Sequence, residues 1–421
     1  MRNILYALLI LSSSHLLAQE FTTTIIEDID DRPLVYSEHT DKVYILINEN
    51  HINNGGSLGI INPETKLFES FMFIGPNPTV LSLDSTGQVL YVGLDGNGYI
   101  KKINLNTLTI ESSFSVGLTE QNEMLFPESI TVDPNDQNTI SVTRYRKNVS
   151  PGNYDIAIFE NGIMWNGTED MEIVNSIAYV GDESEYVWGL NNETTSFGLS
   201  RYDMGGNSIH HDNQFQGYIS GFGTTIQAEG NRIYSSNGAV IGIDEQGDPM
   251  LLNQFDDITF FNNNETQMTI DPYENLLVYM FEGNGLIIRR YDADTFAFVD
   301  QISIPELSDD TVSIDCYAPN SYVFSTQDQE VVFVEYENVL GLTENHFNDS
   351  KFKVFPNPVN DHFKITNGQL IHSVHLFDSK GQLLKKYNGS SKYSVSDLAS
   401  GLYFINIETR NTIEKIKILK K

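Results

Sequence analysis

The chain has a single cysteine, Cys316, in 421 residues. A lone thiol excludes an intrachain disulfide framework and any multi-cysteine metal site. Basic residues are scarce: 25 Lys and Arg stand against 57 Asp and Glu, a formal net charge of −32. That excludes the basic surface with which a nucleic-acid binder displaces counterions, and it fits a self-repelling secreted or surface protein. No apolar run reaches the roughly 20 residues of a membrane span. No stretch sustains a helical period, so an α/β architecture is excluded as well. What the chain has is apolar content of 40% and aromatic content of 11%, enough for a packed core.

The N-terminus reads as a secretory signal over residues 1–18. Arg2 supplies the positive start, Ile4 to Leu11 a short apolar run, and Leu16-Leu17-Ala18 a small residue at the cleavage point. The mature chain then begins at Gln19, and with no cysteine after the run a lipoprotein anchor is not expected. Charge is divided unevenly along the rest. Residues 351–421 hold 12 basic and 5 acidic residues, leaving 13 and 52 in residues 1–350. A change of sign from −39 to +7 marks a domain boundary. It falls in the polar stretch Gly341 to Ser350, which places one domain at 19–345, a linker at 346–351 and a second domain at 352–421.

The last 70 residues alternate as half-buried strands do. Val374 and Leu376 face one way, His375 and Phe377 the other, and Asp378-Ser379-Lys380-Gly381 forms a hairpin turn. Further strands near 352–355, 362–366, 382–387, 402–407 and 413–419 predict a small antiparallel, Ig-like sandwich. Specific residues carry a resemblance here: Phe355-Pro356-Asn357-Pro358, then Val374 to Gln382 with Asp378 and Gly381. Leu398-Ala399-Ser400-Gly401-Leu402-Tyr403-Phe404 follows, and then a lysine-rich end with Lys415 and Lys417. In order and spacing this segment resembles the type A C-terminal sorting domain of the type IX secretion system of certain Gram-negative bacteria. The resemblance implies transit through the periplasm, passage of the outer-membrane translocon and removal of the domain by a sortase-like peptidase. The product would be released or attached to surface lipopolysaccharide.

Residues 21–345 repeat. Val80-Leu81-Ser82-Leu83-Asp84 and its following turn match Met268-Thr269-Ile270-Asp271, and the hairpins Asp95-Gly96-Asn97-Gly98 and Glu282-Gly283-Asn284-Gly285 follow in step. Units start near Leu34, Thr79, Glu128, Val174, Thr225, Gln267 and Val312. Seven units of roughly 46 residues, each with short strands, predict a seven-bladed β-propeller. The seventh unit is one strand short. Phe21 to Ile26, β-branched and otherwise unpaired, is expected to complete it and close the ring. The units resemble YVTN-type surface-layer propeller repeats, through Gly75-Pro76-Asn77-Pro78 and Leu90-Tyr91-Val92, which implies a fold and no activity.

Candidates for chemistry are few. Gly55-Gly56-Ser57-Leu58-Gly59 has the spacing of a nucleophile elbow but lies in a strand array, so it reads as a turn. His210-His211 would point to opposite faces of a strand, and a surface loop is the expected setting. Cys316 reads as a small core residue. Asp84, Asp133, Asp271 and Asp315 recur before turns and are expected to cap them through backbone amides. The acidic runs at Glu27 to Asp31 and Asp309-Asp310 are solvated turns with calcium as a lesser alternative; no cofactor is required. One cluster departs from this background: Arg144-Tyr145-Arg146-Lys147 gathers three of the 13 basic residues of 1–350. An aromatic flanked by arginines can hold a planar or anionic ligand. The loop it opens lies on the same rim as Glu123 and Glu128, so these six residues form the candidate ligand site, for a carboxylated or sulfated glycan, while offsetting of the acidic rim is the favoured role. The function expected is a secreted or surface binding propeller. The alternative is a propeller hydrolase, lactonase or lyase with a divalent metal.

Overall fold

A computed structural model describes residues 21–29, 32–165, 168–169, 173–181, 186–205, 207–259, 266–283, 285–307, 311–336, 352, 354–365, 371, 373–378, 383–388, 392–408 and 413–421. The chain divides into two compact units, 1–339 and 340–421.

The first unit is a seven-bladed propeller. Six blades are antiparallel sheets whose four principal strands run consecutively outward from an axis, at residues 34–73, 78–115, 126–164, 176–215, 226–254 and 267–304. The first strand of each begins within two residues of the expected unit start. Blade 4 gains a fifth strand, Thr168–Glu169, added parallel to its outer edge. Blade 7 has the strands Thr311–Ala318, Ser321–Thr326 and Val331–Tyr336. Its outer strand is Phe21–Ile26, antiparallel to Val331–Tyr336 with Phe21 opposite Tyr336 and Ile26 opposite Val331. The N-terminal strand therefore closes the ring, as its missing partner required.

Position in the blade explains the residue patterns. A second strand is covered on both faces by neighbouring blades, so Val89–Leu94 is buried throughout and reads as one continuous apolar run. A fourth strand lies at the rim, and Leu67–Phe73 is mostly exposed. The core is correspondingly segmented, one apolar cluster to each gap between blades. The cluster between blades 7 and 1 joins Val323 and Phe333 to Val43 and Ile45, so the last gap is packed like the others. Side chains also lace neighbouring inner strands: Ser176 Oγ accepts the Ile226 amide at 2.9 Å, and Gln267 Nε2 donates to the Thr311 carbonyl at 3.3 Å.

The turn aspartates divide into two groups. Asp84 takes the amides of Gln88 and Val89 at 2.8 and 2.7 Å, Asp133 that of Asn135 at 2.8 Å, and Asp271 those of Tyr273 and Glu274 at 2.9 and 3.0 Å. These cap turns as expected. Asp315 does not: its Oδ2 accepts the Tyr36 amide of blade 1 at 2.7 Å, while Oδ1 takes the Cys316 amide at 2.8 Å. It stitches the ring closure instead. Cys316 is buried beside it, and burial raises its thiol far above the ordinary range, so it is an inert core residue.

The second unit places Ser373–Asp378 between Leu383–Asn388 and Gly401–Glu408, with Ile413–Lys420 at the edge, and a smaller sheet of Val354–Phe355, His362–Ile365 and Tyr393–Ser394. Val374, Leu376, Ile405, Ile407 and Ile418 fill its core with Phe363 and Tyr393. The matched motif has a structural job. Asn357 Nδ2 donates to the Lys417 carbonyl at 3.0 Å and its Oδ1 accepts the Leu419 amide at 2.9 Å. Val359 then pairs with Lys420, so the Pro356-Asn357-Pro358 segment is fastened to the last strand. Tyr403 is buried and donates to the Ala399 carbonyl at 2.9 Å. Asp378 lies opposite Tyr403, Gly401 opposite Lys420, Leu402 opposite Leu419 and Lys415 opposite Asn406. Gly381 falls outside the described residues, as do the signal segment 1–18 and the linker 346–351.

Candidate functional site

The first strands of all seven blades line a central channel of about 1020 Å³, walled chiefly by Ser, Thr, Gln and aliphatic side chains. Because neighbouring strands are antiparallel, the loop after a second strand returns to the end at which the first strand began. The loop following Asp136–Tyr145 therefore shares a rim with Glu128, near the start of Phe126–Asp133. Its ends are closed by the Arg146 amide on the Gly152 carbonyl at 2.8 Å.

The structure corrects the role offered for Arg144. Its guanidinium is only 4% exposed. Nε and Nη2 reach Asp155, directly opposite on the next strand, at 2.7 and 2.5 Å, and Nη1 donates to the Val116 carbonyl at 2.7 Å. A fork satisfied in this way has nothing left for a ligand. Tyr145 donates its hydroxyl to Asp95, and burial, with that carboxylate beside it, raises the phenol well above its usual value. Lys147 pairs with the same Asp95 at 2.8 Å and sits 4.1 Å from the centre of the Phe126 ring. Asn77 joins Asp95 to Arg32, with bonds of 3.3 and 3.0 Å. Tyr145 and Lys147 thus tie blade 3 to blade 2. Glu123 is exposed on a separate turn, where its amide bonds Thr119 Oγ1 at 3.1 Å.

Arg146 differs from its neighbours. Its guanidinium lies 5.8 Å from the Tyr154 ring centre and makes no ion pair among the described residues, and its Nε is buried without a partner. Close to it is a group that sequence reading found only in part. Glu128 accepts from Asn175 Nδ2 at 3.1 Å and from Asn153 Nδ2 at 3.3 Å. Glu193, in the corresponding loop of blade 4, accepts the amides of Gly152 and Asn153 at 2.6 and 3.1 Å and Asn175 Nδ2 at 3.4 Å. Burial above all, with Glu193 alongside, pushes the Glu128 carboxyl up to about 6. The loop that carries Glu193 also carries Phe197, whose ring meets Phe222 of the next blade connection edge-on at 5.0 Å. Glu193 had no signal in sequence: its partners stand 18 to 41 positions away.

The other candidates stay structural. Gly56 takes φ +72° and its backbone lies against the Gly75 carbonyl, where any side chain would clash, so Gly55 to Gly59 is a tight turn entering Ser57–Asn62. His210 and His211 lie in the strand Ile209–Phe215 rather than in a loop, and they part as strand neighbours do: His210 meets Ser208 Oγ at 2.8 Å and His211 packs on Tyr202 at 5.4 Å. The acidic pairs Asp30-Asp31 and Asp309-Asp310 fall outside the described residues.

Residues 353–421 match the secretion system C-terminal sorting domain. The sorting domain establishes the destination: export by type IX secretion to the cell surface or beyond. No helix among the described residues is long and apolar enough to cross a membrane. No curated protein matches the chain. Among solved structures, hydrazine synthase of Kuenenia stuttgartiensis aligns with a TM-score of 0.52 at 12% identity, over 73% of this chain and 96% of that one. The Cps50 (Swd1) β-propeller domain of Myceliophteria thermophila aligns at 0.55 and 10% identity, over 74% and 99%. At such identities the likeness is one of fold.

Proposed function

We propose that the propeller is the exported cargo and acts as an extracellular binding module for a glycan, taken on the rim formed by blades 3 and 4. The observation that carries this reading is Arg146: a guanidinium stacked near Tyr154, without a carboxylate partner among the described residues, on a unit whose charge is overwhelmingly negative. On the same rim is the Glu128, Glu193, Asn153 and Asn175 group, and the loop that bears Glu193 also carries Phe197 of the Phe197–Phe222 pair. Carboxylates and carboxamides suit vicinal hydroxyls, and aromatic faces suit the apolar side of a sugar ring. Glycan-array binding of the purified chain tests this. Arg146→Ala should lower binding at least tenfold, as loss of a charge-assisted contact does, with the melting temperature kept. Failure of the wild type to bind any glycan, or equal binding by the variant, would remove the reading.

A second reading, a hydrolase, lactonase or lyase, draws on Glu128. A carboxyl pushed up to about 6 beside a second carboxylate is suited to general-acid work. Turnover of a glycoside and lactone panel that Glu128→Gln abolishes would favour it over simple binding.

A further inference from the structure

We propose that the far mouth of the central channel, at the end opposite the Arg146 rim, is a binding pocket for an organic ammonium ion. The first strands of the blades begin at the Arg146 rim, so the turns that follow them gather at the other end. A cavity of about 430 Å³ opens there, between the turns after the first strands of blades 1, 2 and 6 and the first strand of blade 7. It meets the channel at Leu83, Ser85 and Asp315. Its volume is that of a small-molecule site.

The lining is one-sided in charge. Glu38, Asp84 and Asp315 contribute carboxyl groups, and no Lys or Arg reaches it. Asp84 and Asp315 are held in place by backbone amides, whereas Glu38 is exposed on its turn and has no ion pair among the described residues. Two tyrosine rings share the lining. Tyr36 is fixed by its amide on Asp315 at 2.7 Å and its hydroxyl on Asp41 at 3.0 Å, and its ring meets that of Tyr317 at 6.3 Å. Tyr273 is half-buried. Burial, with the charges of Glu38 and Asp315 near it, pushes its phenol up to about 12, so ring and carboxyl groups border one space. Such a wall repels an anion. A bare metal ion lacks its ligand set, since among the described residues no three His, Cys, Asp or Glu side chains converge to hold one. An organic cation uses both features: the ring faces attract positive charge and the carboxylates balance it. The 52 acidic against 13 basic residues of 1–350 also draw cations toward the unit from a distance.

Choline is the probe, because putting carbon in place of its nitrogen gives an uncharged molecule of the same shape. The glycan rim lies at the other end of the channel, so the outcome is independent of that reading. The full chain is titrated with each compound by calorimetry. Choline should bind, and its uncharged isostere should bind about tenfold more weakly or not at all. Tyr273→Leu, which removes a ring, should weaken choline about fivefold, while Tyr273→Phe, which keeps it, should not. Glu38→Gln should weaken choline about threefold. Glu64→Gln, exposed and outside the pocket, should leave it unchanged, which separates a local site from the general pull of an acidic surface. Glu38 lies on the surface, so its variant decides alone should Tyr273→Leu fail to fold. No choline binding, equal binding of choline and isostere, or equal affinities in Glu38→Gln and Glu64→Gln would overturn the pocket.

Discussion

At the scale of single residues, neighbours in sequence separate by what they touch. Arg144 and Arg146 are two positions apart, yet Arg144 is sealed in a bidentate pair with Asp155 and Arg146 is not. Removing one partner of a buried pair leaves the other charge uncompensated, at about 3–5 kcal/mol. Arg144→Ala should therefore lower unfolding free energy by that amount in urea titrations, while Arg146→Ala costs under about 1 kcal/mol. Equal effects would mean that the two guanidinium groups are not so distinguished. Asp315 makes a pH-dependent case. It lies on the channel wall, crowded by protein, and burial pushes its carboxyl from the ordinary value up to about 6. The folded chain then keeps a proton that the unfolded chain releases, so the group's contribution is whole below about pH 4 and is lost as pH rises through 6. The loss is about 2–3 kcal/mol. The difference in unfolding free energy between wild type and Asp315→Asn should shift by that amount between pH 4 and pH 7, in favour of the variant at the higher pH. A pH-independent difference would show that the carboxyl titrates normally.

At the scale of strands and loops, what was legible in the sequence was what repeats. The blade starts could be read because several inner strands are followed by a capping aspartate, and second strands such as Val89–Leu94 are unbroken apolar runs. The N-terminal strand could be read by counting, since one unit lacked a partner. The rim site could not. Glu193 sits in a polar loop, Asn191 to Gly198, whose composition resembles any other turn; its meaning comes from Asn153 and Asn175, brought to it by blade stacking. The burial of Arg144 was hidden for the same reason, because Asp155 lies opposite it only through strand register. Ring closure yields its own expectation. Deleting Phe21 to Ile26 removes all six pairings with Val331–Tyr336 and leaves a bare edge on blade 7. The truncated chain should melt several degrees lower and form oligomers in light scattering. A melting curve and a monomer peak like those of the full chain would mean that the edge is protected by other means.

At the scale of the whole molecule, two units with opposite charge perform separable tasks. The propeller's core is divided among its blade gaps, and the sorting domain has a core of its own, built on Phe363, Tyr393 and the isoleucines of its larger sheet. Each unit thus has a core of its own, so each is expected to fold on its own packing. Removing 351–421 should then leave the propeller folded on its own core, with its melting temperature within about 2 °C of that of the same unit in the full chain. Its location should change completely. Without the Pro356-Asn357-Pro358 segment fastened to the last strand, the cargo has no signal for the outer-membrane step and should collect inside the cell envelope. Fractionation of cells expressing both forms measures this directly. Full-length chain should be found at the surface or in the medium, and the truncated chain in the periplasmic fraction, still folded by protease resistance. A folded truncated chain in the medium at normal levels would show that export is directed from elsewhere in the sequence. A shorter perturbation gives the finer test: Asn357→Ala removes both bonds to Lys417 and Leu419 without deleting the domain. It should impair export while leaving the propeller's stability unchanged, which separates the sorting signal from the cargo within one intact chain.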